Sequence, residues 1–502
     1  MKYFIRKKWF FAFLIFGLTA FLGFQIYKNH RAKVRLLAKG EELAKKHCTT
    51  CHIFPDPELL TRELWKTTVL PNMGSRLGMR GHFDNYYSPV GKKGKPILSQ
   101  EEWNILVYYY LMNAPDSLEQ IAPSKAEYDT AFFSAEPYLD FKGGIITALK
   151  ALDEKIYIAE ATDSILSEVN ITTSSINTTK YDWPITDIQS VDNSLMLTSP
   201  GYLHPADHQM GMVMTREISS SDPEIIIDSL RRSLRTSISD FDQNGYDDLL
   251  ICEFGHNYGQ LSLYFNDGTA YKKKILAGTP GAIRAQIHDF NQDGLDDFMV
   301  LFAQGDERLV LYTNMGNQQF KPQTIYRFPS IYGSLYFELA DFNHDGLPDI
   351  LYTNGDNGDY SPIPKPYHGV RILINQGENK FSEEWFYPMY GAAMAKSFDF
   401  DQDGKLDIMA TSNFTRSAKP EEEGLIFFHQ KSNLVFEPFI YKNGKMNQWN
   451  LLEFVDIDDD GDQDVLIGAM NLKAIGMIQS DTGMDTTIAQ TSILLLRNKI
   501  NK

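Results

Sequence analysis

An acidic turn of one design appears five times in the C-terminal two-thirds of the chain, opening at Asp240, Asp289, Asp341, Asp399 and Asp456, at intervals of 49, 52, 58 and 57 residues. Each copy reads D-x-[DN]-x-[DN]-G-x-x-D and runs into an apolar segment, as where Asp240-Phe-Asp242-Gln-Asn244-Gly245-Tyr-Asp247-Asp248 precedes Leu-Leu-Ile. A repeat of about fifty residues is a supersecondary unit that buries its apolar face only against its neighbours, so the spacing commits the chain to a repeat architecture.

Oxygen donors at positions 1, 3 and 5 with Gly at 6 let the backbone turn sharply while carboxylates converge, which is what a hard cation requires. Calcium is the expected ion, up to five per chain. The candidate ligands are Asp240, Asp242, Asn244 and Asp248; Asp289, Asn291, Asp293 and Asp297; Asp341, Asn343, Asp345 and Asp349; Asp399, Asp401, Asp403 and Asp407; and Asp456, Asp458, Asp460 and Asp464. An EF-hand is excluded. It needs a Glu at position 12, where this chain has Ile251, Val300, Tyr352, Ala410 and Ile467. The role expected of the bound ions is to stiffen the turns.

Each turn leads into a β-branched or aromatic run and then a second, such as 261–265, 309–313 or 370–374. Asn-containing turns at Asn266, Asn314 and Asn375 lead on to further strands near Ile275, Ile325 and Trp385. Every repeat therefore supplies four antiparallel strands. On these turns and this period, residues 131–502 resemble the FG-GAP or VCBS type of calcium-binding β-propeller, the architecture also seen in integrin heads. Two further blades without the acidic turn are expected, one over 145–158 and one over 185–197, making seven. The last blade stops after Leu496 without a fourth strand, so a segment near Ala131 to Leu139 is expected to close the ring.

Cys48-Thr-Thr-Cys51-His52 is the second informative feature. Two thiols at this spacing can form thioethers with a haem, and the adjacent His supplies an iron ligand. No βαβ pattern surrounds the pair to suggest a thioredoxin-like site, and zinc would need two more close ligands. A helical stretch runs in from Ala38 to Lys46, and Ser99-Gln-Glu-Glu102 is a capping-box start to a helix through Met112. This part resembles a class I cytochrome c module. The resemblance implies one covalent haem c on Cys48, Cys51 and His52, with the first and last helices packed across each other. Met73, expected in a turn at the end of a short helix, is the proposed distal ligand, with Met79 and His82 as alternatives.

Residues 9–27 carry no charge over nineteen positions, enough to span a bilayer. No cleavage site of small residues follows, so the segment reads as an uncleaved anchor. Flanking Lys and Arg residues are balanced. Haem attachment and millimolar calcium both belong outside the cytoplasmic membrane, which puts the N-terminus inside and the rest in the periplasm. The expected organisation is a cytoplasmic tail 1–8, a transmembrane helix 9–27, a stalk and small all-α cytochrome c domain 28–118, a linker 119–130 and an all-β seven-bladed propeller 131–502.

A net charge of −17 argues against nucleic acid as a partner, since phosphate binding needs a basic surface. The bacterial membrane and a redox partner protein are expected instead, with a small-molecule or carbohydrate ligand on the propeller face carrying the long loops 200–208, 254–258, 354–368 and 413–424. His204 and His208 in the first of these are a further metal option. Arg235 and Arg284, with Glu338, Lys396 and Glu453 two positions further along their own repeats, are expected to face the central channel. Two function classes follow. In one the chain is a membrane-anchored electron carrier whose propeller docks a partner; in the other the propeller is a dehydrogenase or oxidase module that feeds the haem. The first is favoured, because the repeats contain no nucleotide or quinone-cofactor fingerprint and no paired acid and base.

Overall fold

The structure, a computed structural model, describes residues 2–79, 96–119, 126–129, 131–139, 144–358, 361–413, 424–441, 448–470 and 492–500, with side chains from Phe16 onward. It divides into two units, Met1–Leu118 and Glu119–Lys502.

The first unit is helical. Helix α1 (Lys2–Cys48) is continuous, 47 residues and about 70 Å long. Residues 28–37, at the start of the segment 28–118 expected as stalk and cytochrome c domain, contain neither Gly nor Pro, so nothing interrupts the helix there. Phe16, Phe21, Phe24 and Ile26 are exposed, whereas Leu43 and Ala44 are buried. No helix among the described residues is long and apolar enough to cross a membrane. After α1 come α2 (Arg62–Leu64), a π-helical turn (Trp65–Val69), α3 (Leu70–Arg76) and α4 (Gln100–Asn113). The capping box forms as expected: Ser99 Oγ accepts from Glu102 N at 3.2 Å, and Ser99 N donates to Glu102 Oε2 at 2.9 Å. Helices α1 and α4 cross at Gly40, where a Cβ would stand 2.5 Å from Tyr109 Cβ and 2.8 Å from Ile105 O. Only a residue without a side chain allows that approach.

The second unit is the seven-bladed propeller. Six of the blades are built on an antiparallel meander of four strands in chain order, blade three being Ser233–Ser239, Asp248–Glu253, Gln260–Asn266 and Tyr271–Ala277. The first strands are Ile146–Leu152, Asp187–Val191, Ser233–Ser239, Ala282–His288, Ser334–Ala340, Ala392–Phe398 and Trp449–Val455. Consecutive first strands touch all the way round, the seventh against the first, so the ring is closed. Burial follows position in the blade. Second strands such as Asp248–Glu253 and Asp407–Ser412 are buried at every residue because both blade faces meet neighbours, while outer strands such as Tyr271–Ala277 are largely exposed.

Closure occurs as the missing strand requires. Phe133–Pro137 pairs antiparallel with Ile493–Asn498 and becomes the outer strand of blade seven, with Phe133 opposite Asn498 and Pro137 opposite Leu494. Phe133 is buried among Phe400, Phe427 and Tyr441. One expectation needs correction. Glu127–Tyr128, read as linker, adds to blade six as a short parallel strand opposite Phe439 and Ile440.

Candidate functional site

The five acidic turns share one backbone. Position 4 (Gln243, Gln292, His344, Gln402, Asp459) has φ between 56° and 60°, and the Gly at position 6 has φ between 82° and 91°. Two consecutive carboxylate contacts lock this shape. The first Asp accepts the N–H of positions 5 and 6, as Asp240 does from Asn244 at 2.9 Å and Gly245 at 2.8 Å, and as Asp399 does from Asp403 at 3.0 Å and Gly404 at 2.9 Å. Position 2 is a hydrophobic anchor: Phe241, Phe342 and Phe400 are each 1% exposed. Burying such a ring contributes about 1.5–3 kcal/mol.

The ninth position behaves differently from the others. Asp248, Asp297, Asp349, Asp407 and Asp464 are at most 1% exposed. One oxygen of each accepts the N–H of position 2, and the other accepts an N–H at or near the end of the blade's third strand: Asn266, Asn314, Asn375, Gln430 or Asn498, at 2.7–2.9 Å. Asn314 and Asn498 also reach the preceding blade, donating to Phe241 O at 2.8 Å and Phe400 O at 3.1 Å. Burial pushes the Asp248 and Asp349 carboxyls up to about 6 and that of Asp407 up to about 7, and it raises Asp297 and Asp464 as well.

Three turns gather donors within 4.8 Å of one another: Asp240, Asp242 and Asp248; Asp456, Asp458 and Asp460; and Asp401 and Asp403 with His429. Asp242 Oδ1 is buried with no hydrogen-bond partner, so an acceptor there lacks a positive group. This donor set fits a hard divalent cation. In the turns at Asp289 and Asp341 position 3 is an amide, and Asn291 and Asn343 donate to Asp293 and Asp345 at 2.9 Å. His429 was not anticipated: it lies on the third strand of blade six, far in sequence from the turn it meets.

Of the five residues expected to face the channel, Lys396 and Glu453 meet each other, and Arg235, Arg284 and Glu338 each meet a group of a neighbouring blade. A bulge in the first strand precedes Arg235, Arg284, Tyr336 and Leu451 and turns the strand locally. Arg235 pairs with Asp187 at 2.9 Å, and Glu453 pairs with Lys396 at 3.1 Å and Lys150 at 3.4 Å. Glu338 accepts from Ser397 N and Oγ at 2.9 and 2.7 Å, and from Tyr336 Oη at 3.2 Å. Arg284 lies 4.4 Å above the Tyr336 ring. These contacts tie neighbouring blades to each other.

Among the long loops, Asp207 holds 200–208 to 254–258 by accepting from Asn257 N and Tyr258 N at 2.7 and 3.0 Å. Tyr202 lies between Trp183 and His208, at 5.0 and 5.3 Å. His204 and His208 join no metal-ligand group among the described residues. Near the loop that begins at Asn354, Glu307 is buried and accepts from Gly333 N at 3.0 Å, Ser334 N at 2.9 Å and Ser334 Oγ; burial pushes its carboxyl up to about 7. Of the loop 413–424, only its two end residues are described.

In the helical unit Cys48 and Cys51 are free thiols, half-buried and exposed at the C-terminal end of α1. Tyr110 Oη, donating to Pro55 O at 2.9 Å, stands 3.9 Å from Cys48 Sγ, and burial raises the Cys48 thiol. His52 Nδ1 lies 2.8 Å from Ile53 O. Nδ1–H donates to that carbonyl, which leaves the lone pair on Nε2, the arrangement a metal-bound imidazole needs. The free thiol pair and oriented His fit a c-type haem. Met73 is half-buried inside α3, not in a turn: the helix continues to Arg76 because Gly74 packs under Trp103, where a Cβ would meet Cζ2 at 2.8 Å. Met79 is buried, and His82 lies outside the described residues. Cys252 is buried in blade three, its thiol pushed up to about 12 by burial.

A search of curated proteins gives no match. Similar solved structures include a luciferin-regenerating enzyme (11% identity, 72% of this chain and 95% of that one, TM-score 0.34), the N-terminal domain of Nup159 (11%, 74% and 96%, 0.40) and a catalytically inactive virginiamycin B lyase from Staphylococcus aureus (12%, 72% and 99%, 0.44). The family model for the FG-GAP-like repeat matches residues 240–300 and 289–352, which run from the acidic turn of blade three into the second strand of blade five and hold the turns at Asp240, Asp289 and Asp341. The second unit is thus a seven-bladed β-propeller carrying FG-GAP-like repeats.

Proposed function

We propose that the chain is a membrane-anchored periplasmic electron carrier whose calcium-stiffened propeller docks a partner protein or a small ligand. The observation that carries the reading is the pair of free thiols Cys48 and Cys51 next to His52, whose Nδ1 is engaged by Ile53 O. A haem held there would supply reversible one-electron chemistry. The chain's own part is orientation. Ile53 O fixes the tautomer and plane of the imidazole, Tyr110 fills the space beside Cys48, and the α1–α4 crossing at Gly40 holds the motif at the end of a rigid helix. Met73 would complete the ligand set, with Met79 or His82 as the alternative. In this reading residues 9–27 anchor the chain, with the N-terminus inside.

Asp242 Oδ1, buried without a partner, supports calcium at the turns, where an ion would satisfy it and relieve the mutual repulsion of the carboxylates. The rigid ring then offers its loops, as at the clamp of Asp207 on Asn257 and Tyr258, for docking.

The test is expression of the full chain in a host that matures c-type cytochromes. Covalent haem that survives denaturing electrophoresis, is weakened by Cys48→Ser or Cys51→Ser, and is oxidised and reduced reversibly is the expected result. A chain that matures without haem while the propeller folds would overturn the electron-transfer reading.

A further inference from the structure

We propose that the turn opened by Asp399 is a mixed-donor site selective for a borderline transition ion, Zn2+, in which His429 Nε2 binds the ion together with Asp401 and Asp403. The inference rests on the reading of the acidic turns as cation sites, and it concerns which ion one of them selects.

The third strand of each blade with such a turn passes beside it, and a residue at or near its end caps the ninth Asp through the backbone. The residue just before that cap faces position 3 of the turn in blades six and seven, where His429 Nε2 lies 2.8 Å from Asp401 Oδ2 and Arg497 lies 3.3 Å from Asp458 Oδ2. In blades three, four and five the same place holds Phe265, Thr313 and Ile374. His429 is the one residue of this set with a nitrogen lone pair to give. Its ligand atom and those of Asp401 and Asp403 all lie within 4.8 Å of one another, whereas the groups at Asp240 and Asp456 contain oxygen donors alone.

The imidazole is built into its place. His429 is 9% exposed, its ring 5.0 Å from Phe132 and stacked at 6.2 Å on Phe427. Nδ1 has no hydrogen-bond partner, so the aromatic slot and not an outer acceptor sets the ring plane. That plane aims Nε2 into the turn. Calcium takes six to eight oxygens and gains little from a nitrogen, whereas imidazole with two carboxylates is a donor set suited to zinc. Lys405 Nζ, paired with Asp403 Oδ2, is the group an incoming ion displaces.

The experiment uses the full chain, stripped of metal, dialysed against Zn2+ in a large excess of Ca2+, and read by elemental analysis and calorimetric titration. Wild type should retain one zinc that calcium does not remove. His429→Phe, which copies Phe265, should lose it, with zinc affinity falling by at least roughly 10–100-fold, the loss that even an outer partner of a ligand costs. Its calcium count and calcium-dependent rise in melting temperature should match wild type. His429→Gln, polar but without an imidazole nitrogen, should behave alike and guards against an effect of Phe on the slot. Zinc bound equally by both variants and wild type, or released entirely to calcium by wild type, would overturn the proposal. Calcium uptake is scored separately: zinc that depends on His429 in a chain that takes no calcium would overturn only the calcium reading of the other turns.

Discussion

The ninth Asp of each acidic turn and the Asp that opens it carry the same charge in sequence but do different work. Asp297 holds two buried N–H groups, Phe290 N at 3.1 Å and Asn314 N at 2.7 Å, and is itself fully buried. Asp297→Ala should therefore orphan both donors, at about 1–3 kcal/mol each, and destabilise the propeller with or without calcium. Asp293→Ala, at an exposed position where it accepts from Leu295 N and Asn291, should lower stability more in calcium than in chelator; thermal melts of both variants with calcium and with chelator make the comparison. The acidic pattern was legible from Asp240 to Asp464, yet the division of labour was not. The partner of each ninth Asp lies at or near the end of a strand after a loop of variable length, so no fixed spacing links them. His429 escaped notice for the same reason. Glu307 gives a pH prediction at this scale. Burial raises its folded value above that of the unfolded chain, so the neutral form favours folding; that stabilisation is full below about 4.5 and is lost as pH rises through about 7. Relative to Glu307→Gln, wild type should lose stability, on the order of 3 kcal/mol, between pH 5 and pH 8 (about the span of the shift), as read by denaturant titration at several pH values.

At the scale of elements, local signals were read well where they are local. The capping box at Ser99 and the four-strand meander follow from residues within a few positions of each other. One helix end set by packing differs from the expectation: α3 carries Met73 past the expected turn, with Gly74 fitted beneath Trp103. The crossing of α1 and α4 was expected from the resemblance to small cytochromes, but the contact at Gly40 required coordinates. Gly40→Ala would place a methyl 2.5 Å from Tyr109 Cβ and 2.8 Å from a backbone oxygen, neither free to swing away. Overpacking of this kind costs about 1–3 kcal/mol. The substitution should lower the stability of the helical unit, measured by its own melting transition, and leave the melting transition of the propeller in place.

Considered as one molecule, the propeller was the most legible part, because a period near fifty residues and a last blade one strand short leave few ways to close a ring. The two blades without acidic turns were found by their strands alone, and the parallel strand at Glu127–Tyr128 was missed since two residues carry no periodicity. Chelation should lower the melting temperature of the propeller, because an ion bound only by the folded chain stabilises it by mass action, and should leave any haem absorbance nearly unchanged. Equal melting curves in chelator and in excess calcium would remove the calcium assignment. Deleting residues 131–139 should expose the edge of Ile493–Asn498 and turn a monodisperse chain into an aggregating one, visible by light scattering.

The register of that closing strand also decides how the ring yields to force. Phe133 lies opposite Asn498 and Pro137 opposite Leu494, so the chain enters the pair and leaves it at the same end. Tension between the N-terminal side of the propeller and its C-terminus therefore peels the two strands apart one bond at a time, like a zipper, instead of loading all their bonds together in shear. Pulled from these ends, the chain gives way at the short strand Glu127–Tyr128 and then at the seam, while the six blades built from contiguous sequence keep their own four strands paired.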